Sequence, residues 1–115
     1  MFDDKLGGKI YLSAVDIYRD ASRAFPSQSG NWTQFGQCFR ALGSIVANIA
    51  EANGKSKDGA KYYQNLMLHA RGSAYEAVAW LELAVVDGLL SEVDACALGC
   101  RLMALSDDIF EEVVR

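Results

Sequence analysis

Between Thr33 and Asn53 the chain reads TQFGQCFRALGSIVANIAEAN, a stretch with helical periodicity and only two charged residues, Arg40 and Glu51. A helix of average composition would carry about five charges over that length. At ~100° per residue, Phe35, Cys38, Leu42, Ile45, Ile49 and Ala52 fall on one apolar face. Gly36, Gly43, Ala47, Ala50 and Gly54 fall on a second face of very small residues, and Gln37, Arg40, Ser44, Asn48 and Glu51 share the narrow polar strip between the two. A helix with two packable faces and so little hydrophilic surface is expected to be covered on more than one side.

The same imbalance returns further along. From Ala74 to Val86 all residues but Glu76 and Glu82 are apolar. Leu66, Ala70, Ser73, Ala77, Trp80 and Ala84 make one helical face, Lys61, Leu68, Ala79 and Val86 lie on another, and the polar edge is Gln64, Arg71 and Glu82. One small helical domain cannot cover all of this, and exposed apolar surface of that kind marks protein–protein contact. Self-association through these two helices is therefore expected.

The rest of the chain supplies two more helices. The first is predicted from Lys9 to Phe25, with Ile10, Ala14, Ile17, Ala21 and Ala24 inward, ended by Pro26 and the run SQSGN. The second spans Trp32 to Asn53, capped by Asn31 and stopped by Gly54. The third starts after GKSK, capped by Ser56 or Asp58, and breaks at Asp87-Gly88. The fourth opens on Ser91, with Asp94 completing a variant capping box, and carries Ala95, Leu98, Leu102, Leu105 and Ile109 as its stripe. Strand signals are absent. Short loops make successive helices antiparallel neighbours, and 115 residues with no linker or repeat make one domain, 1–115.

Charge and cysteine usage narrow the setting. The net charge of −4 divides into +2 over residues 1–61 and −6 over residues 62–115, a poor balance for a protein that coats nucleic acid but compatible with a local basic patch. Three cysteines, Cys38, Cys96 and Cys100, with no secretory signal, lead us to expect reduced thiols and a cytoplasmic location. No apolar run reaches the ~20 residues of a membrane span.

The segment QCFRALGSIVANIAE, Gln37 to Glu51, followed by a Gly/Lys/Ser loop, Tyr62-Tyr63, Ala70, Gly72-Ser73 and Glu76, resembles the 23S rRNA intervening-sequence proteins. It is similar as well to their relatives, the accessory variability determinant proteins of diversity-generating retroelements. The family pattern, roughly Q-L-R-R-A-A-x-S-I-x-x-N-I-A-E-G and then A-x-G-S-x-x-E, is matched at Gln37, Arg40, Ala41, Ser44, Ile45, Asn48, Ile49, Ala50, Glu51, Ala70, Gly72, Ser73 and Glu76. Ala52 stands where the pattern has Gly, and one basic residue of the pattern is replaced by Phe39. The resemblance implies a four-helix bundle in a homopentameric ring, and for the retroelement proteins nucleic-acid binding and contact with a reverse transcriptase.

Arg40 and Glu76 come together if the second and third helices pair antiparallel, either as a ligand-binding or catalytic ion pair or as a buried salt bridge that fixes helix register or subunit orientation. Gln37, Ser44, Asn48, Glu51 and Ser73 extend them into a polar network, or line a channel in an oligomer. His69, near Ser73 and Glu76, reads as a core histidine, because one helix without an oxyanion hole makes no triad. Cys96 and Cys100, four apart, read as small buried residues for want of further metal ligands. Lys55, Lys57 and Lys61 are either a nucleic-acid contact or a solvated loop.

The expectation is thus an all-α, antiparallel up-down-up-down four-helix bundle, assembled into a homo-oligomeric ring. Its role is non-enzymatic, with no catalytic residue, metal or cofactor. Its partners are further copies of itself, with a reverse transcriptase and RNA or DNA on the resemblance; no membrane is involved. The alternative is a protein-interaction scaffold without nucleic-acid binding.

Overall fold

A computed structural model describes residues 2–26, 32–55 and 59–115, and all the regular structure among them is helical. Five helices follow one another: α1 (Asp3–Leu6), α2 (Gly8–Ala24), α3 (Trp32–Lys55), α4 (Ala60–Val86) and α5 (Glu92–Val114). The one-turn α1 was not expected from periodicity, being too short to show any. Its acidic first turn, Asp3 and Asp4, and Lys5 in its last turn suit the helix dipole.

Local chemistry accounts for most boundaries. α2 ends at Ala24 because Phe25, preceding Pro26, is pushed to extended backbone (φ −74°, ψ 138°). α4 ends in a Schellman turn: the Leu89 N–H donates to the Ala84 carbonyl at 2.8 Å and Gly88, at φ +74°, donates to Val85 at 3.0 Å. The Ser91 side chain caps α5 by accepting from the Asp94 N–H at 3.0 Å. One stop is corrected. Gly54 does not end α3, which runs on to Lys55 with Gly54 in helical conformation; Gly59, at φ +151°, is the N-cap of α4. The caps proposed at Asn31, Ser56 and Asp58 lie outside the described residues.

Side-chain pairs fix the directions. Gln34 with Asp87 and Ser44 with Ser73 run α3 against α4; Gln64 with Val113 and Arg71 with Ser106 run α4 against α5. Tyr18 on Phe39 and Phe25 on Phe35 do the same for α2 and α3. Arg101 donates to Asp20 at 2.8 Å between α5 and α2, and that guanidinium holds the Asp20 carboxyl below the usual carboxylate range. Each long helix therefore packs on two others. Their shared interior is Ala14, Ile17, Leu42, Ile45, Ile49, Met67, Leu81, Leu102, Leu105 and Ile109, with Ala70, Ala74, Ala77 and Ala84 lining α4. Each buried large aliphatic side chain contributes roughly 1.5–3 kcal/mol. Ser106, the buried polar side chain among the described residues, is satisfied by the Arg71 Nε–H at 3.2 Å.

Gly7 joins α1 to α2 at φ +134°, and a Cβ placed there would stand 2.7 Å from the Ile49 Cγ2 atom. Ile49 is fully buried and cannot step aside. Gly7→Ala should cost about 1–3 kcal/mol, for left-handed backbone strain plus the clash. Denaturant melts would show the midpoint moving with no change in slope.

Candidate functional site

The seam between α3 and α4 gathers most of the polar residues singled out by the sequence. The Arg40 Nη2 group donates to the Glu76 carboxylate, while the Arg40 Nε–H donates to the Gln37 Oε1 atom at 2.9 Å. The same Glu76 oxygen accepts from the Trp80 indole N–H at 3.1 Å, a partner that periodicity alone had placed on the apolar face. One turn along, Ser44 and Ser73 share a hydrogen bond of 2.9 Å, and the Asn48 amide donates back to the Ser44 carbonyl at 2.8 Å and to its hydroxyl at 3.0 Å. Glu51 is exposed and joins neither cluster. The seam thus holds two short hydrogen-bonded chains rather than one continuous network.

The Arg40–Glu76 pair is not buried, as a register-setting bridge was expected to be. Its side chains are 57% and 40% exposed, so water screens the charge. Arg40→Ala should accordingly lower stability by less than about 1 kcal/mol. A thermal melt displaced by more than a few degrees would show that the pair matters beyond its own Coulomb energy.

Two further corrections concern burial. His69 is exposed on α4, facing away from the core side where a satisfied histidine would sit. Cys96 and Cys100 are exposed as well, whereas Cys38 is buried and its thiol is pushed up to about 12 by that burial. The helical stripe of α5 passes through Ala95, Leu98 and Leu102, which puts 96 and 100 on its flank. Four-residue spacing shows that two residues share a face; it does not say which face.

Outside the core, two surfaces stand out. The outer side of α3 carries Gly36, Ala47 and Gly54, all exposed, with Arg40 and Glu51 beside them. The outer side of α4 carries Leu68, Tyr75, Ala79, Leu83 and Val86, with Val86 79% exposed. Among the lysines, Lys55 and Lys61 are exposed and the Lys55 ammonium stands 5.8 Å from the centre of the Tyr62 ring; Lys57 lies outside the described residues. Sequence reasoning placed Arg71 only on the polar edge of its helix, whereas it lies over the Phe110 ring at 4.6 Å and the Tyr75 ring at 5.5 Å. Its partners sit on two helices, and no single-helix pattern reveals that.

Chemically, the seam can bind and orient by hydrogen bonding. Among the described residues no group of three or more His, Cys, Asp or Glu side chains could hold a metal ion, and no helix is long and apolar enough to cross a membrane. No curated protein matches the sequence. A sequence model of the 23S rRNA-intervening sequence proteins matches residues 8–109, which takes in α2, α3, α4 and most of α5. The chain belongs to the 23S rRNA-intervening sequence protein family.

Proposed function

We propose that this chain is a non-enzymatic scaffold, an up-down-up-down four-helix bundle that assembles into a homo-oligomeric ring and presents that ring to a macromolecule. The observation that carries this reading is the apolar, small-residue outer surface of α3 and α4. Leu68, Tyr75, Leu83 and Val86 project from α4, while Gly36, Ala47 and Gly54 offer a shallow track along α3. Large exposed side chains on one helix and small ones on its neighbour are shapes that interlock between copies. The charge division, +2 over residues 1–61 and −6 over residues 62–115, favours a head-to-tail contact, in which unlike surfaces meet. Head-to-tail contacts close into a ring when the rotation between copies divides a full turn. The count of five comes from the family resemblance.

The macromolecule is nucleic acid, with a reverse transcriptase as protein partner, again on the resemblance. Lys55, whose ammonium lies over the exposed Tyr62 ring, and Lys61 next to it provide cations beside an aromatic face, the combination that holds single strands by charge and stacking, and Lys57 adds a third cation in the sequence between them. Repetition around a ring multiplies such a weak patch. The net charge of −4 favours the second reading, a protein scaffold that binds no nucleic acid. Light scattering should give a mass several times 12.5 kDa at micromolar concentration. Single-stranded RNA should bind with an affinity that falls steeply as salt rises, by ~10-fold or more on replacing Lys55, Lys57 and Lys61 together by Glu. Affinity indifferent to salt and to that triple change would leave the second reading; a monomer would end both.

A further inference from the structure

Cys96 and Cys100 open onto a groove of about 710 Å³ between α4 and α5, walled by Val78, Leu81, Val85, Ala95 and Met103. We infer that these two thiols, with the Met103 thioether, form a capture site for a soft, low-coordinate metal ion of the copper(I) class. Four observations converge on it. The two cysteines are both exposed, and residues four apart on a helix stand one above the other with Cβ atoms about 5–6 Å apart. Sulfurs carried at that spacing can reach a single ion, given metal–thiolate bonds of about 2.3 Å. Met103, three residues on from Cys100, lines the same groove and adds the thioether that, with thiolates, selects copper(I). Gly99 faces the groove between them, and a Cβ there would meet nothing within 4 Å, so an ion has room. The groove also carries Glu82, Glu92 and Asp107, whose negative charge favours a cation.

The donor count selects the ion. A structural zinc site takes four ligands, and the described residues offer no cluster of three His, Cys, Asp or Glu side chains. Two thiolates and a thioether satisfy an ion content with two or three soft donors. Binding releases two thiol protons to water, forms two copper–thiolate bonds with the neutral Met103 thioether as third donor, and frees the chelator that carried the ion. The copper keeps its charge, so no electron is exchanged. Cys38 takes no part, since it is buried within the helical core and its thiol is pushed up to about 12.

The test is an anaerobic titration of the full chain against copper(I) held by bicinchoninate, a coloured competing chelator. One equivalent should transfer to the protein. Cys96→Ser and Cys100→Ser should each weaken capture by at least about 100-fold, the loss expected when a second, tethered ligand is removed. Met103→Leu should weaken it by a smaller factor, and Cys38→Ala should leave it unchanged. In the unmodified chain, copper should shield Cys96 and Cys100 from iodoacetamide, read by mass spectrometry, which keeps the test independent of how any variant folds. No transfer to the wild type, capture that survives either serine substitution, or equal preference for zinc would overturn the assignment.

Discussion

Replacing Leu102 by Ala should lower the stability of the fold by about 2–5 kcal/mol, with an unfolding midpoint roughly 10–20 °C below the wild type. Leu102 is fully buried on α5, which packs against both α2 and α4, and is among the largest side chains so placed. Removing its branched end leaves a cavity that the surrounding Ile and Leu side chains, held on rigid helices, cannot fill. Loss of transfer energy and loss of packing contacts therefore add. Val93, on the same helix and 78% exposed, is the control: Val93→Ala should change stability by less than about 0.5 kcal/mol. Both melts need the same protein concentration, because self-association would link stability to it. A Leu102→Ala midpoint within 2 °C of wild type would mean that the α5 stripe does not pack as the coordinates place it.

That stripe was legible in the sequence because a 3-4-3-4 run of leucines has a single way to face a core. So were the inward faces of α2 and α3, and the break at Asp87-Gly88, where glycine chemistry and a Schellman turn coincide. Gly54 misled because a glycine tolerates helical backbone as well as left-handed backbone, and here it stays helical inside α3. Burial of polar and small residues was the harder matter. Arg40 meets Glu76 as antiparallel pairing requires, but at the rim of the seam rather than inside it. His69, Cys96 and Cys100 stand outside because helix rotation, set by neighbouring helices, decides the fate of residues at the edge of a stripe. Links between elements, such as Arg71 to Ser106 and Arg101 to Asp20, depend on inter-helix register. Local patterns carry no record of that register.

The assembly reading leads to the second large effect. Placing Arg at Ala47, on the small-residue track of α3, or Glu at Leu83, on the apolar strip of α4, should each weaken association by about 2–4 kcal/mol per contact, or roughly 30- to 1,000-fold. At Ala47 a long charged side chain would hold the neighbouring helix off the track; at Leu83 a carboxylate would be stripped of water with no cation placed to receive it. In the proposed ring the penalty recurs at every seam, so the mass of that assembly, about 62 kDa for the five 12.5 kDa copies the resemblance implies, should collapse to that of one chain. Both positions are exposed in the single chain, and substitutions of exposed residues move stability by no more than about 0.5 kcal/mol. The variants should therefore remain fully helical, with the intrinsic stability of the single chain intact, while losing mass by light scattering. Assembly then separates from folding, because a surface that is apolar for meeting another copy can be made polar without harm to the chain that carries it. Variants that keep the wild-type mass would place the seam elsewhere on the molecule, and variants that unfold would make these positions part of the core.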